Sequence, residues 1–283
     1  MTAVVRGLIS KLGEAQALDK LGTPASTFVQ RITGPTPVKN ALSGVWLGHQ
    51  LHPMLTDVPI GAWSMASLLD LTMGRAGSAA ARRLVGVGIL AAVPTAASGA
   101  SDWSSTYGAD QRVGLVHATA NATATTLQVT SWLLRRRGRR GAGIALSTLA
   151  LGLTAGAGYL GGNLSYTRGI GVNHDAFESP VTEWTDVAAV SDVTEGALVR
   201  VEAAGVPVLL VRRGQTIHAL SATCDHAGGP LDKGKLEGEC VQCPWHFSVF
   251  RLSDGQVVRG PATTPQPVWH VQVEGDRVQV RTA

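Results

Sequence analysis

Cysteine is scarce in this chain of 283 residues: there are three, all between residues 224 and 243. That leaves none to staple any other part of the chain. Charge is scarce as well, at 16% of residues, and long stretches of the first 170 residues carry none. No cleavable signal peptide is expected at the start of the sequence. Residues 3–32 instead mix Val, Leu and Ile with Lys, Arg and Glu at roughly helical spacing. That pattern suits an amphipathic helix, either on a membrane surface or on a soluble one. Residues 1–47 are accordingly expected to form an N-terminal surface segment.

The charges present are divided unevenly. Residues 1–170 hold fifteen Lys and Arg against six Asp and Glu, whereas residues 171–283 hold nine against fourteen. In the basic front part, four apolar stretches stand out, at about 58–74, 84–101, 113–134 and 142–161. Each has about the 17–25 residues that a helix needs to cross a bilayer. The second and fourth are rich in Gly and Ala, which let membrane helices approach closely. Asp70 interrupts the first. The expectation is a four-helix membrane domain over 48–170. Its connections are asymmetric: GRAGSAAARR (74–83) holds three Arg and RRRGRR (135–140) holds five, but SDWSSTYGADQR (101–112) holds one. Excess Lys and Arg mark cytoplasmic loops, so both termini are expected on the outer face of a multi-pass cell-membrane protein. A domain that reaches the outer face already folded calls for twin-arginine export. Arg139-Arg140 directly before the fourth stretch suits that role, or that of a plain cytoplasmic anchor.

The cysteines sit in CDHAGGPLDKGKLEGECVQCPWH (224–246). Cys224 and His226 are one residue apart, and Cys243 and His246 are two apart. Two thiolates and two imidazoles from two short loops make a four-ligand site, for tetrahedral zinc or for an iron–sulfur cluster. Zinc fingers usually pair Cys with Cys and His with His. Here each loop brings one of each, which suits a cluster with one iron held by two Cys and the other by two His.

From about Thr182 to the end the chain resembles the Rieske [2Fe–2S] domain, through Cys224-x-His226, Gly228-Gly229-Pro230 and Cys243-Pro-Trp-His246. The resemblance implies that Cys224, His226, Cys243 and His246 ligate the cluster, and that the Ser248 hydroxyl bonds a bridging sulfide. The positions of the loop disulfide found in the cytochrome bc type correspond to Gly229 and Trp245, so that disulfide is not formed. The usual Gly after the last ligand is Phe247, which puts the local backbone conformation in question. Phe250 replaces a Tyr that bonds a ligand sulfur in high-potential members. Fewer hydrogen bonds to sulfur mean a lower potential, expected in the lower half of the family's range of roughly −150 to +300 mV.

The surroundings read as small antiparallel β structure. Residues 198–203, 207–212, 216–221, 268–274 and 277–281 are short and rich in Val and Leu, with Gly, Asp and Pro between them. An all-β domain over 188–283 is expected after a polar linker at 171–187, in which His174 is solvated. RGPATTPQP (259–267) resembles the family's third, shielding loop. Cys240 reads as a small buried hydrophobe on the strand entering the second loop. His218 and His270 read as ordinary strand residues.

Residues 48–64 and 158–172 resemble the opening and the end of an uncharacterised bacterial four-span membrane-domain family. The resemblance covers about 40–175 and implies a compact helical bundle. His117, Asn121, Thr125, Gln128 and Trp132 share one helical face, and polar groups in a span face the bundle interior or a cavity. With His49 and His52 at the same outer end, His117 suggests either a haem or quinone site or plain interhelical hydrogen bonding.

The sequence as a whole reads as a multidomain protein: a four-helix transmembrane bundle, then a small all-β Rieske domain. Its expected function is a membrane-anchored one-electron relay, working with a redox partner protein or the quinone pool and not with nucleic acid. The alternatives are a redox sensor or assembly factor carrying the cluster, or a quinol-oxidising respiratory subunit. No catalytic residue is assigned. Only His270 follows the second motif, so the second iron site of a Rieske oxygenase, two His and a carboxylate, is not expected.

Overall fold

The computed structural model describes residues 2–283. It divides into two compact units. One comprises residues up to Pro35 together with Leu51–Arg168, and the other comprises Thr36–Gln50 with Gly169–Ala283.

The first unit is helical. Its helices are α1 (Thr2–Glu14), α2 (Asp19–Thr33), α4 (Leu51–Thr72), α5 (Ser78–Trp103), α6 (Gly108–Arg136) and α7 (Arg140–Gly162), while α3 (Thr36–Ser43) belongs to the second unit. α4 pairs with α5 and α6 with α7 across short connections. Small residues make the close approach possible: the Trp63 indole lies against Gly88 and Trp103 against Gly114, where any side chain would collide. Ala66, Ala81 and Val85 form the core of the α4–α5 pair. Polar residues on the inner side of α6 find partners there. Ser147 Oγ donates to Gln128 Oε1 at 2.8 Å and Ser131 Oγ to the Gly143 carbonyl at 2.6 Å.

Two of these helical runs are long and apolar enough to cross a membrane: Ser78–Trp103 with mean hydropathy 1.6, and Arg140–Thr167 with 1.4, in which a π-turn at Asn163–Thr167 continues α7. Only 22% and 28% of their apolar windows are buried, and Leu90, Val93 and Leu149 stand exposed. α4 and α6 are long enough but more polar, with Asp57 and Asp70 on α4 and His117, Asn121, Gln128 and several Thr on α6. The expected surface helix of residues 3–32 is two helices, broken at Ala15–Leu18. Arg112 of α6 forks onto the Asp19 carboxylate with bonds of 2.7 and 2.6 Å.

The second unit is built on ten antiparallel strands among the described residues: β1 (Thr185–Ala189), β2 (Val199–Ala203), β3 (Val206–Arg213), β4 (Thr216–Ser221), β5 (Lys235–Glu237), β6 (Cys240–Gln242), β7 (Val249–Arg251), β8 (Val257–Arg259), β9 (Trp269–Glu274) and β10 (Arg277–Thr282). They form sheets of order β1-β10-β9, β2-β3-β4 and β5-β6-β7-β8. Strand β3 reads Val-Pro-Val-Leu-Leu-Val and is buried on both faces: Val208 and Leu210 enter one apolar core, Leu209 and Val211 the other. The second of these cores, with Leu220, Leu231, Val241 and Phe250, includes Cys224 and Cys243 themselves.

Two segments differ from the expectation that they stand apart from this unit. The polar stretch 171–187 is laid against it: Val181 is buried, its carbonyl accepts from the Thr282 amide at 2.9 Å, and Ser221 Oγ donates to Glu178 at 2.8 Å. Residues 36–50, ahead of the helical pairs in sequence, also pack here. Asn40 Oδ1 accepts from the Gly260 amide at 2.9 Å and its Nδ2 donates to the Val258 carbonyl at 3.0 Å.

Candidate metal centre

Two loops, one between β4 and β5 and the other between β6 and β7, close their backbones in the same way. In the first, the Gly228 amide donates to the Cys224 carbonyl and the Cys224 amide to the Gly229 carbonyl, both at 2.8 Å. In the second, the Phe247 amide donates to the Cys243 carbonyl at 3.2 Å and the Cys243 amide to the Ser248 carbonyl at 2.8 Å. Each loop therefore starts on a Cys, bends through a left-handed residue four positions later and closes one residue further on. The left-handed residues are Gly228, at φ +74°, and Phe247, at φ +63°.

This settles the backbone at Phe247: it adopts the conformation that Gly takes at the matching place, at the steric cost of a bulky side chain there. Phe247→Gly and Phe247→Ala both remove the exposed ring, but only Gly fits a positive φ without strain. Phe247→Gly is expected to be about 1 kcal/mol more stable than Phe247→Ala, measured as the difference in heat-unfolding midpoints of the β unit.

The frame brings four side chains together. Cys224 and Cys243 are each 1% exposed and belong to one buried apolar cluster. The pair shares protons unequally. The bond to Cys243, then burial, pushes the Cys224 thiol up, while accepting that bond pulls Cys243 down to about 7. A thiolate, the ligating form, is thus within reach near neutral pH. His226 and His246 meet edge to face, with ring centroids 4.9 Å apart and their Nδ1 atoms 3.2 Å apart. Burial pulls them down to about 3 and about 4, so both rings stay neutral with lone pairs available to a metal.

The donors suit a two-metal group. Among the described residues no three or more of His, Cys, Asp and Glu converge as a single-ion site. They pair instead, thiol with thiol and imidazole with imidazole. Gly229 walls the cradle, since a Cβ there would lie 2.8 Å from Cys243 Sγ and 3.2 Å from the Trp245 ring. Gly229 and Trp245 thus face each other with the indole against the glycine, and all three cysteines are free. Ser248, fully buried, accepts at Oγ from the Ala262 amide at 3.0 Å. That contact uses a lone pair and leaves the hydroxyl proton to donate. Phe250 is buried in the core.

The third loop, 259–268, follows β8 and contains the cis peptide Gly260–Pro261. Arg259 Nη1 donates to the Phe247 carbonyl at 2.7 Å, tying this loop to the second. Gln266 is buried and ties it to the first: its Oε1 accepts from the Asp225 amide at 3.2 Å and its Nε2 donates to the Asp175 carboxylate at 2.8 Å and to the carbonyls of Ser221 and Thr223. Sequence reasoning missed Gln266, which carries no motif. Its signal is spatial, a buried amide spending both ends on two segments.

Cys240 lies on β6, opposite Arg251, and is half-buried, more open than expected. His218 lies on β4 and His270 on β9. His174 is exposed, with Nε2 3.0 Å from the Gly169 carbonyl. Of the other histidines, His52 and His117 face each other in the helical unit with ring centroids 6.3 Å apart. Their Nδ1 atoms engage the carbonyls of Thr95 and Ala157 at 3.0 and 2.8 Å. Asn121 Nδ2 approaches His117 Nε2 at 3.3 Å. His49 belongs to the other unit and is exposed, its Nδ1 3.1 Å from the Gln50 carbonyl.

Comparison with known proteins adds the following. A family profile described as a Rieske [2Fe-2S] domain matches residues 183–272, and one described as a predicted membrane protein (DUF2231) matches residues 48–174. The chain is 34% identical over 98 residues to ferredoxin CarAc of Metapseudomonas resinovorans, which covers 34% of this chain and 92% of that protein. It is 32% identical over 96 residues to the ferredoxin component of biphenyl 2,3-dioxygenase of Rhodococcus jostii, covering 34% and 90%. Among solved structures, the ferredoxin of carbazole 1,9a-dioxygenase from Nocardioides aromaticivorans is 27% identical, covers 36% of this chain and 100% of that one, and has a TM-score of 0.35.

Proposed function

Because the chain belongs, through its β unit, to the Rieske [2Fe–2S] family, we propose that it is a membrane-anchored electron relay whose cluster is held by Cys224, Cys243, His226 and His246. The observation that carries this reading is the pairing of two buried thiols and two neutral imidazoles by loops of matching frame. When bound, the cluster takes up and gives back one electron at a time. The chain's own residues do the rest. The Gly229 cradle leaves room beside Cys243 Sγ. Ser248 keeps a hydroxyl proton to direct at sulfur. The half-buried imidazoles stand beside the exposed rings of Trp245 and Phe247, an apolar rim suited to a redox partner that needs close approach without tight binding. The ferredoxin relatives make a protein donor and acceptor the favoured partners, with the quinone pool as the other source of electrons.

The anchor in this reading is α4–α7, crossing the membrane four times with the β unit on the outer face. Support comes from the membrane-protein family of residues 48–174, from the two apolar runs and from the basic residues gathered in the α4–α5 and α6–α7 connections and the helix ends beside them. The deciding experiment is an optical and EPR redox titration of the purified full chain. A rhombic Rieske signal reduced below about 0 mV is expected. A preparation that holds zinc and gives no such signal overturns the assignment.

A further inference from the structure

The segment 36–50 is separated in sequence from the β unit by the whole helical region, yet it packs as part of that unit. Its hold is specific. Asn40 pairs both with the Gly260 amide and with the Val258 carbonyl, as a neighbouring strand would. Gln50 Nε2 donates to the Pro261 carbonyl at 3.0 Å. Ser43 and Val45 lie where a side chain at Gly260 would reach, 3.4 Å from its Cβ position. The segment thus clamps the third loop, the one that Arg259 and Gln266 tie to the two ligand loops. Next to Asn40 is Lys39, a cation only 3% exposed. Lysine is rarely buried to this degree. Lys39 is buried where α3 packs on β8 and the third loop, which Arg259 joins to the Phe247 carbonyl, the residue after His246. On the thiol side, the buried Asp225 carboxyl, held by Thr264, supplies the opposite sign.

We propose that Lys39, carried to the β unit by α3 and fixed there by Asn40, is a positioning residue that sets the reduction potential of the group held by Cys224, Cys243, His226 and His246. The inference rests on the Rieske reading above. The reduced group carries one more negative charge than the oxidised one, and a buried cation interacts with that charge through a medium of low dielectric. Lys39 therefore favours the reduced form. It adds a charge term to a site whose hydrogen bonds to sulfur are fewer for want of the Tyr at Phe250, and net charge is one of the levers that fix such potentials.

The test is a potentiometric titration, read by EPR, of the cluster-loaded full chain in detergent. The chains compared are the unaltered one, Lys39→Arg, Lys39→Gln and Lys39→Met. Lys39→Gln and Lys39→Met are expected to shift the reduction equilibrium about ten-fold toward the oxidised form, equal to about 59 mV downward for one electron, while Lys39→Arg stays with the unaltered chain. A purely structural role would not sort the variants by charge. Coincident titrations of all four overturn the proposal and leave the Rieske reading intact, whereas an unaltered chain without a Rieske signal fails the underlying reading itself. Hydrogen exchange on the unaltered chain tests the clamp without any substitution. Residues 36–50 and 257–263 are expected to be protected together, with protection at 257–263 lost in Asn40→Ala. Exchange of 36–50 at the rate of an open peptide overturns the proposal.

Discussion

Serine at Cys243 is expected to give a chain that purifies without bound iron or acid-labile sulfide, while serine at Cys240 keeps the full complement. The two residues are three apart, and the contrast isolates what the fold does with each. Cys243 opens the second loop, is 1% exposed and shares a buried cluster with Cys224. Its place in the second apolar core gives a bound group no water to fall back on when one ligand is lost. A serine hydroxyl stays protonated at any ordinary pH, whereas the Cys243 thiol sits at about 7, and an anionic soft ligand is what iron in this setting requires. Cys240 pairs across the sheet with Arg251 and is half-buried. Exchange of its sulfur for oxygen removes a small contact from a strand whose register is held by backbone bonds, at a cost of about 1 kcal/mol or less. Iron and sulfide assays on the two purified chains, with the visible spectrum, check the pair. Retention of the cluster by Cys243→Ser removes Cys243 from the ligand set.

The parts of the fold legible in the sequence are those where chemistry repeats locally. Strands β2, β3, β4, β9 and β10 announce themselves by runs of Val and Leu bounded by Gly and Asp. Strands β5 to β8 have three residues each, too few for alternation to stand out, and they form only because each borrows a neighbour in the ladder. The spacing of Cys and His was readable because ligand geometry constrains it. The likeness of the two loop backbones was not, because a positive φ is written openly at Gly228 and concealed at Phe247. The place of residues 36–50 was illegible for another reason. Asn40 meets Gly260 across 220 positions, and nothing in TPVKNALS distinguishes a helix that docks on a loop from one that caps a bundle. Asp70 is the same problem in the helical unit: alone, it reads as a fault in an apolar stretch, and its meaning lies 65 and 70 residues away.

That meaning carries the largest stability effect expected in the helical unit. Asp70, near the C-terminal end of α4, accepts from Arg135 at 2.6 Å and from Arg140 at 3.0 Å, and the side chains of Asp70 and Arg135 are each 3% exposed. A carboxylate at a helix C-terminus is disfavoured by the helix dipole, so its position there depends on the two guanidinium groups, one at the end of α6 and one at the start of α7. Arg140 also donates to the Gly74 carbonyl at 2.8 Å, fixing the α4–α5 connection to the α6–α7 connection. The arrangement leaves little slack: Arg135 Nη1 and Arg140 Nε already lack hydrogen-bond partners. Asp70→Ala removes the one anion that compensates two cations, and a buried charge stripped of its partner costs about 3–5 kcal/mol. Asp70→Asn keeps acceptors without the charge and should fall between. Asp70→Leu combined with Arg135→Leu and Arg140→Leu should recover much of the loss, because an apolar replacement of a whole buried ion group is often neutral. Thermal unfolding of the full chain in detergent, followed by helical circular dichroism, orders the four proteins. The charge tie between α4, α6 and α7 is refuted if Asp70→Ala melts with the unaltered chain, or if the triple leucine variant melts below Asp70→Ala.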